Sequence, residues 1–219
     1  MQIVKGHWQL IAITLAVFVL WQTPLMLPLK ILVVFMHELS HAIAAWITGG
    51  TVESISVSPR QGGLTVTRGG NGFLLTSAGY IGSLLIGVLL FTAALRSRAD
   101  RRMMAALGVV MLVVTGLYMR ELFAMAFGVA AGVAMLASAR FLSSRVNDLT
   151  LRVIGLTSMV YVPFDIFDDT IARSGAGSDA YAMSQTYGGP VMFWGGLWLL
   201  LSLLVIWNSL RRLGRNSNI

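Results

Sequence analysis

Apolar runs long enough to cross a bilayer recur from one end of this chain to the other, and that recurrence constrains its fold more than any other feature. A hydrocarbon core of about 30 Å takes about 20 helical residues at about 1.5 Å each. Runs free of charge, or nearly so, cover residues 6–29, 31–50, 69–95, 103–119, 122–139, 153–164 and 180–210. Read as helices, they make six or seven membrane spans. Composition agrees, since 11% of the 219 residues are charged, against about 25% in a soluble domain. A hydrophobic content of 56% excludes a disordered chain and argues against an ordinary soluble globule. The expected fold is an all-α polytopic membrane protein, with one integral domain over residues 1–213 and a polar tail at 214–219.

Lys5 and the apolar run at 10–20 have the outline of a leader peptide. Trp21-Gln22-Thr23-Pro24, however, offers no small-x-small cleavage site, and a second apolar run begins at once. The first run is read as a retained helix, with Pro24 and Pro28 turning the chain into the next.

The net charge of +7 is distributed in short clusters between the apolar runs. Basic residues interleaved with aromatics, as nucleic-acid binding would need, are absent, so a nucleic-acid partner is not expected. Eleven of the 16 Lys and Arg residues fall on one side of a seven-span arrangement: Lys30, Arg96, Arg98, Arg101, Arg102, Arg140, Arg145, Arg152, Arg211, Arg212 and Arg215. Cytoplasmic loops carry the excess of positive charge. That orientation puts the segments at 51–68 and 165–187 outside a multi-pass protein of the plasma membrane. With no cysteine in the chain, disulfides, thiolate metal sites and thiol nucleophiles are excluded.

Against this background, the second run contains His37-Glu38-Leu39-Ser40-His41. Residues four apart share a helix face, so His37 and His41 can present two imidazoles to one metal ion. Glu38 projects beside them as a base for water, which is the HExxH arrangement of zinc hydrolases. A carboxylate at membrane depth costs about 2.5–3.5 kcal/mol on insertion scales, so it persists where it is paired or has a function. Two of the three histidines of the chain lie in this motif.

A third ligand follows by elimination among the nine acids. Asp100 and Asp148 belong to the Arg-rich side, Glu121 follows Arg120 in a tight connection, and Glu53 and Asp179 fall in polar loops. What remains is Pro163-Phe164-Asp165-Ile166-Phe167-Asp168-Asp169. In a helix Asp165, Asp169 and Arg173 follow at i, i+4, so Asp169 can pair with Arg173. Asp165 is then deepest and is assigned as ligand, with Asp168 or Asp169 orienting it or replacing it and His7 as a weaker substitute.

Between the second and third runs, Val52, Ile55, Val57, Leu64 and Val66 alternate with Ser and Thr around Pro59-Arg60-Gln61-Gly62-Gly63. That pattern reads as a small β-hairpin at about 51–68. An exposed edge of it could hold an extended peptide, with Gly62 and Gly63 at the substrate. Ser77-Ala78-Gly79, Gly82-Ser83 and Gly87 are small enough for close helix packing.

These residues together resemble the site-2-protease-type zinc intramembrane metalloproteases, in a compact, divergent branch. The resemblance covers roughly residues 30–170 and rests on the HExxH sequence, the hairpin ending in Gly62-Gly63, and Pro163-Phe164-Asp165. Ile166 stands where the family has Gly after its ligand Asp, and Ser77-Ala78-Gly79 stands where other members carry a Gly-Pro pair. The resemblance implies a Zn2+-dependent endopeptidase that cleaves a transmembrane protein or peptide within the lipid bilayer. Glu38 would activate a zinc-bound water. A metal- or proton-coupled transporter using the same intramembrane acids and imidazoles, or a non-catalytic membrane binding protein, is the alternative.

Overall fold

The computed structural model describes residues 12, 14–96, 99–172 and 177–216. His7 and Arg173, and residues 6–11 and 13 of the first apolar run, lie outside them. Pro24 opens a 3-10 turn (Pro24–Met26) that leads into helix α1 (Leu27–Ile47), with Pro28 in its first turn, where no intrahelical N–H is needed. Strands β1 (Thr51–Val57) and β2 (Gly63–Arg68) follow, and then helices α2 (Gly72–Arg96), α3 (Asp100–Tyr118), α4 (Leu122–Phe141) and α5 (Ser144–Phe167). A π-helical turn (Asp168–Ala172) ends α5, and α6 (Asp179–Tyr187) and α7 (Val191–Asn216) complete the order.

Six helical segments among the described residues are long and apolar enough to span a membrane: Pro24–Ile47, Gly72–Arg96, Asp100–Tyr118, Leu122–Phe141, Ser144–Ile171 and Val191–Arg211. The expected single run at 180–210 is instead two helices. Gly188 and Gly189 take positive φ and Pro190 follows, so the backbone leaves the helix there. This break frees α6 to lie elsewhere than in line with α7.

Burial separates a centre from a rim. In α1, 67% of the apolar window is buried within the protein and in the α5 span 56%, against 28% for α3, 22% for α4 and 17% for α7. Ile31 to Met36 are buried without interruption, as expected of a helix that is apolar all round and enclosed by others. The rim helices turn Val109, Val113, Val129, Val133, Leu200 and Leu204 outward. In lipid such faces cost nothing.

The hairpin folds back along α1 and also touches α3 and α4. Its ladder pairs Thr51 with Arg68, Ile55 with Thr65 and Val57 with Gly63, with a bulge between Val52 and Ser54. The bulge reconciles the odd spacing of Val52 and Ile55 with a single buried face, because an extra residue resets the period of two. Ile55 and Val57 are fully buried on it. The turn closes with Ser58 N–H donating to the Gly62 carbonyl at 2.8 Å.

Small residues set the distance between the central helices. The Ser158 hydroxyl of α5 donates to the Ser83 carbonyl of α2 at 2.9 Å. A Cβ on Gly155 would lie 2.6 Å from the Gly87 carbonyl oxygen and 2.8 Å from the Phe91 nitrogen, both backbone atoms that cannot yield. One substitution at two sites should therefore have opposite signs. Gly155→Ala should lose about 1–3 kcal/mol of stability by overpacking. Gly116→Ala, where a Cβ meets nothing within 4 Å, should gain up to about 1 kcal/mol of helix propensity. Thermal unfolding in detergent micelles would compare them.

Candidate metal centre

His37 and His41 lie on one face of α1, where four-residue spacing places their ring centroids 4.8 Å apart. They face α2 at Gly79, and the small residue is essential to the approach. A Cβ there would collide with His37 Nε2 and lie 2.5 Å from His41 Nε2. The third member of the group comes from α6. Asp179 Oδ2 is 3.1 Å from His37 Nε2 and 3.3 Å from His41 Nε2.

Asp179 is thus in a helix and not in a polar loop, where elimination among the acids had placed it. It is the first residue of α6, whose N-terminus is capped by the Ser178 hydroxyl accepting from Tyr181 N–H at 3.2 Å. The cap starts the helix at the point that drops the carboxylate between the imidazoles. Burial alone would raise the Asp179 carboxyl, but the imidazoles of His41 and His37 facing it outweigh that and hold it below the usual carboxylate range.

The hydrogen bonds of the group fit a cation at its centre. His41 Nδ1 lies 2.7 Å from the Leu75 carbonyl oxygen, which can only accept, so Nδ1 carries the proton. His41 Nε2 and His37 Nε2 then face one carboxylate oxygen, Asp179 Oδ2, which is buried and makes no hydrogen bond to any other group. A carboxylate oxygen held against two imidazole nitrogens calls for a positive charge between them, which a proton or a metal ion supplies. A tetrahedron with bonds of about 2.0–2.1 Å has edges of roughly 3.3–3.4 Å, close to the separations of Oδ2 from the two nitrogens. Among the described residues this is the group of three whose ligating atoms all fall within 4.8 Å of one another.

The remaining residues singled out in the sequence are placed around it. Glu38 is 5% exposed, and its Oε2 accepts from Thr65 Oγ of β2 at 2.7 Å. A cavity of about 310 Å³ joins His37, Glu38 and His41 to Gly62, Gly63, Leu64 and Thr65 of the hairpin and to Asp165, Asp169 and Asp179. Asp165, expected to complete the ligand set, forms part of the wall of this cavity, outside the close group. Asp169 accepts from Tyr80 Oη at 2.6 Å, and the Tyr80 ring packs edge-on against His37. Its expected pairing with Arg173 falls outside the described residues. Asp168 lines a second, smaller cavity of about 200 Å³ with Lys30, Arg60 and Gln61. The π-helical turn changes the helical period after Phe167, in the segment that carries Asp168 and Asp169.

The model of the Peptidase M50B-like family matches residues 10–209. The chain belongs to this site-2-protease family. Membership makes it a metallo-type protease, and the six apolar spans make it an integral multi-pass membrane protein. No curated protein and no solved structure matches it.

Gly79 gives a direct check on the geometry. Gly79→Ala should leave the helical content unchanged and weaken divalent-metal binding by at least about tenfold, since an imidazole nitrogen must move to admit the methyl group. Metal titration of the purified protein, beside its circular dichroism, measures both.

Proposed function

We propose that the protein is a zinc-dependent intramembrane endopeptidase that hydrolyses peptide bonds of membrane-embedded substrates, with His37, His41 and Asp179 as the metal ligands. The observation that carries this reading is the buried Asp179 oxygen, 3.1 and 3.3 Å from the Nε2 atoms of His37 and His41, the two histidines that flank Glu38 on α1. Two nitrogens and one carboxylate oxygen leave a fourth position open, the pattern of catalytic rather than structural zinc. A zinc ion bound there supplies Lewis-acid polarisation of a carbonyl and lowers the pKa of water to about 7.

The protein's own groups then divide the work. Glu38 takes the proton from the attacking water and returns it to the departing amine. The Leu75 carbonyl fixes the His41 tautomer that leaves Nε2 free. β2 pairs on one side with β1 in a two-stranded sheet, and its residues Gly63, Leu64, Thr65 and Thr67 line the cavity. A helical substrate hides its peptide bonds in its own hydrogen bonds, and lipid offers none in return. Pairing an unwound segment with β2 would replace them and hold the segment beside Glu38. By the excess of positive charge at the opposite end of the bundle, the hairpin and α6 belong to the outer side of the plasma membrane.

Purified wild type should hold about one zinc per chain. Asp179→Asn and His41→Ala should each lose it, while Asp165→Asn should keep it. Glu38→Gln should keep zinc and lower cleavage of a reconstituted membrane substrate by about 10²–10⁴-fold, the usual contribution of a general base. Zinc retained by Asp179→Asn but lost from Asp165→Asn would move the ligand to α5. Metal flux across liposomes without any peptide cleavage would replace the protease with a transporter.

A further inference from the structure

The strand that lines the cavity also grips the base. Thr65 Oγ lies 2.7 Å from Glu38 Oε2 and 3.0 Å from the Glu38 carbonyl oxygen. Both atoms are acceptors and the hydroxyl has one proton, so the shorter contact is a bond donated to the carboxylate. Gly63, two residues earlier and therefore on the same face of the strand, packs against the other oxygen. A Cβ on Gly63 would collide with Oε1 and lie 2.7 Å from Cδ. One oxygen is hydrogen-bonded and the other abuts bare backbone, which leaves a side chain with three rotatable bonds little room to turn.

We propose that Thr65 is a positioning residue that fixes the Glu38 carboxylate, so that β2 orients the base with the same segment that would receive the substrate. The inference rests on the endopeptidase reading and adds a role that the HExxH sequence does not contain. Glu38 sits on α1, but its reactive oxygens are held from outside that helix. A hydroxyl-to-carboxylate bond is charge-assisted and directional, and a shift of about 1 Å in a reacting group can cost about 10²-fold. A peptide settling on β2 would thus meet a base whose direction the same strand sets.

The test compares Thr65→Val, which keeps the shape and removes the hydroxyl, with Thr65→Ser, which keeps the hydroxyl. In a reconstituted cleavage assay, Thr65→Val should lower kcat by about 10–100-fold with KM within about threefold of wild type. Its zinc content should not change, and Thr65→Ser should recover most of the loss. A second readout does not depend on turnover. The infrared carboxylate band of Glu38, identified by its disappearance in Glu38→Gln, should shift in Thr65→Val and not in Thr65→Ser. Wild-type kcat in Thr65→Val, an unshifted band, or equal losses in both variants together with loss of zinc would overturn the proposal. If wild type cleaves nothing under any condition, it is the endopeptidase reading that falls. The band would still decide whether Thr65 holds the carboxylate.

Discussion

Four ionisable groups, His37, Glu38, His41 and Asp179, sit within one apolar bundle, and none of them can be left to solvent. An isolated buried charge costs several kcal/mol even after relaxation, so each group must find its partner inside the protein. The surrounding architecture supplies these partners from four separate elements. α2 brings the Leu75 carbonyl and the bare backbone of Gly79, β2 brings Thr65, α6 brings Asp179, and the α5 end brings Asp165 and Asp169 to the walls. The close approach at Gly79 comes first among these, because without it the imidazoles have no room to face Asp179.

That requirement accounts for the division between centre and rim. α1 and α5 are the most enclosed spans, and α2 joins them through Gly82 against Ser40 and Gly87 against Ser158. Tight interlocking there fixes side chains to within the tolerance a metal site needs. α3 and α4 pack chiefly on each other and present much of their surface outward. Their pairing uses the same small-residue logic, with Gly108 close to the Gly132 carbonyl and Gly128 close to Thr115. They carry none of His37, His41 and Asp179.

Much of this was legible in the chain. Charge-free runs marked the spans, alternation marked the hairpin, and HExxH marked the two histidines and the glutamate that line the cavity. Asp179 was not legible because local pattern says nothing about which distant helix folds over the cavity. It follows Gly175-Ala176-Gly177-Ser178, and such a stretch reads as loop. The available signal was Ser178 before Asp179 and an apolar run, which is a helix start, together with Gly188-Gly189-Pro190 as a stop. Taken together, they define a short separate helix opening with a carboxylate. Asp165 drew attention for the opposite reason, since depth in a spanning helix is visible in sequence and the distance to His37 is not. The π-helical turn was equally hidden, as no residue type in Asp168–Ala172 specifies it.

A two-stranded hairpin is an odd companion for a helical bundle, and its register explains why it can serve the site. Directly paired residues of an antiparallel ladder share a face, so Ile55 lies beside Thr65 and Val57 beside Gly63. Burying two aliphatic side chains contributes roughly 1.5–3 kcal/mol each, against about 1.5–3 kcal/mol for one hydrogen bond to a charged group. Apolar contact therefore sets the register, and the polar contact follows from it. A slip of one residue would put the two sets on opposite faces, so that keeping Ile55 and Val57 buried would withdraw Gly63 and Thr65 from Glu38. The bulge at Glu53 absorbs the one irregularity in the alternation before it can reach this pair, and the Glu53–Arg68 ion pair at 2.8 Å closes the far end of the ladder. The packing that holds the hairpin to α1 is thus also what aims it at Glu38.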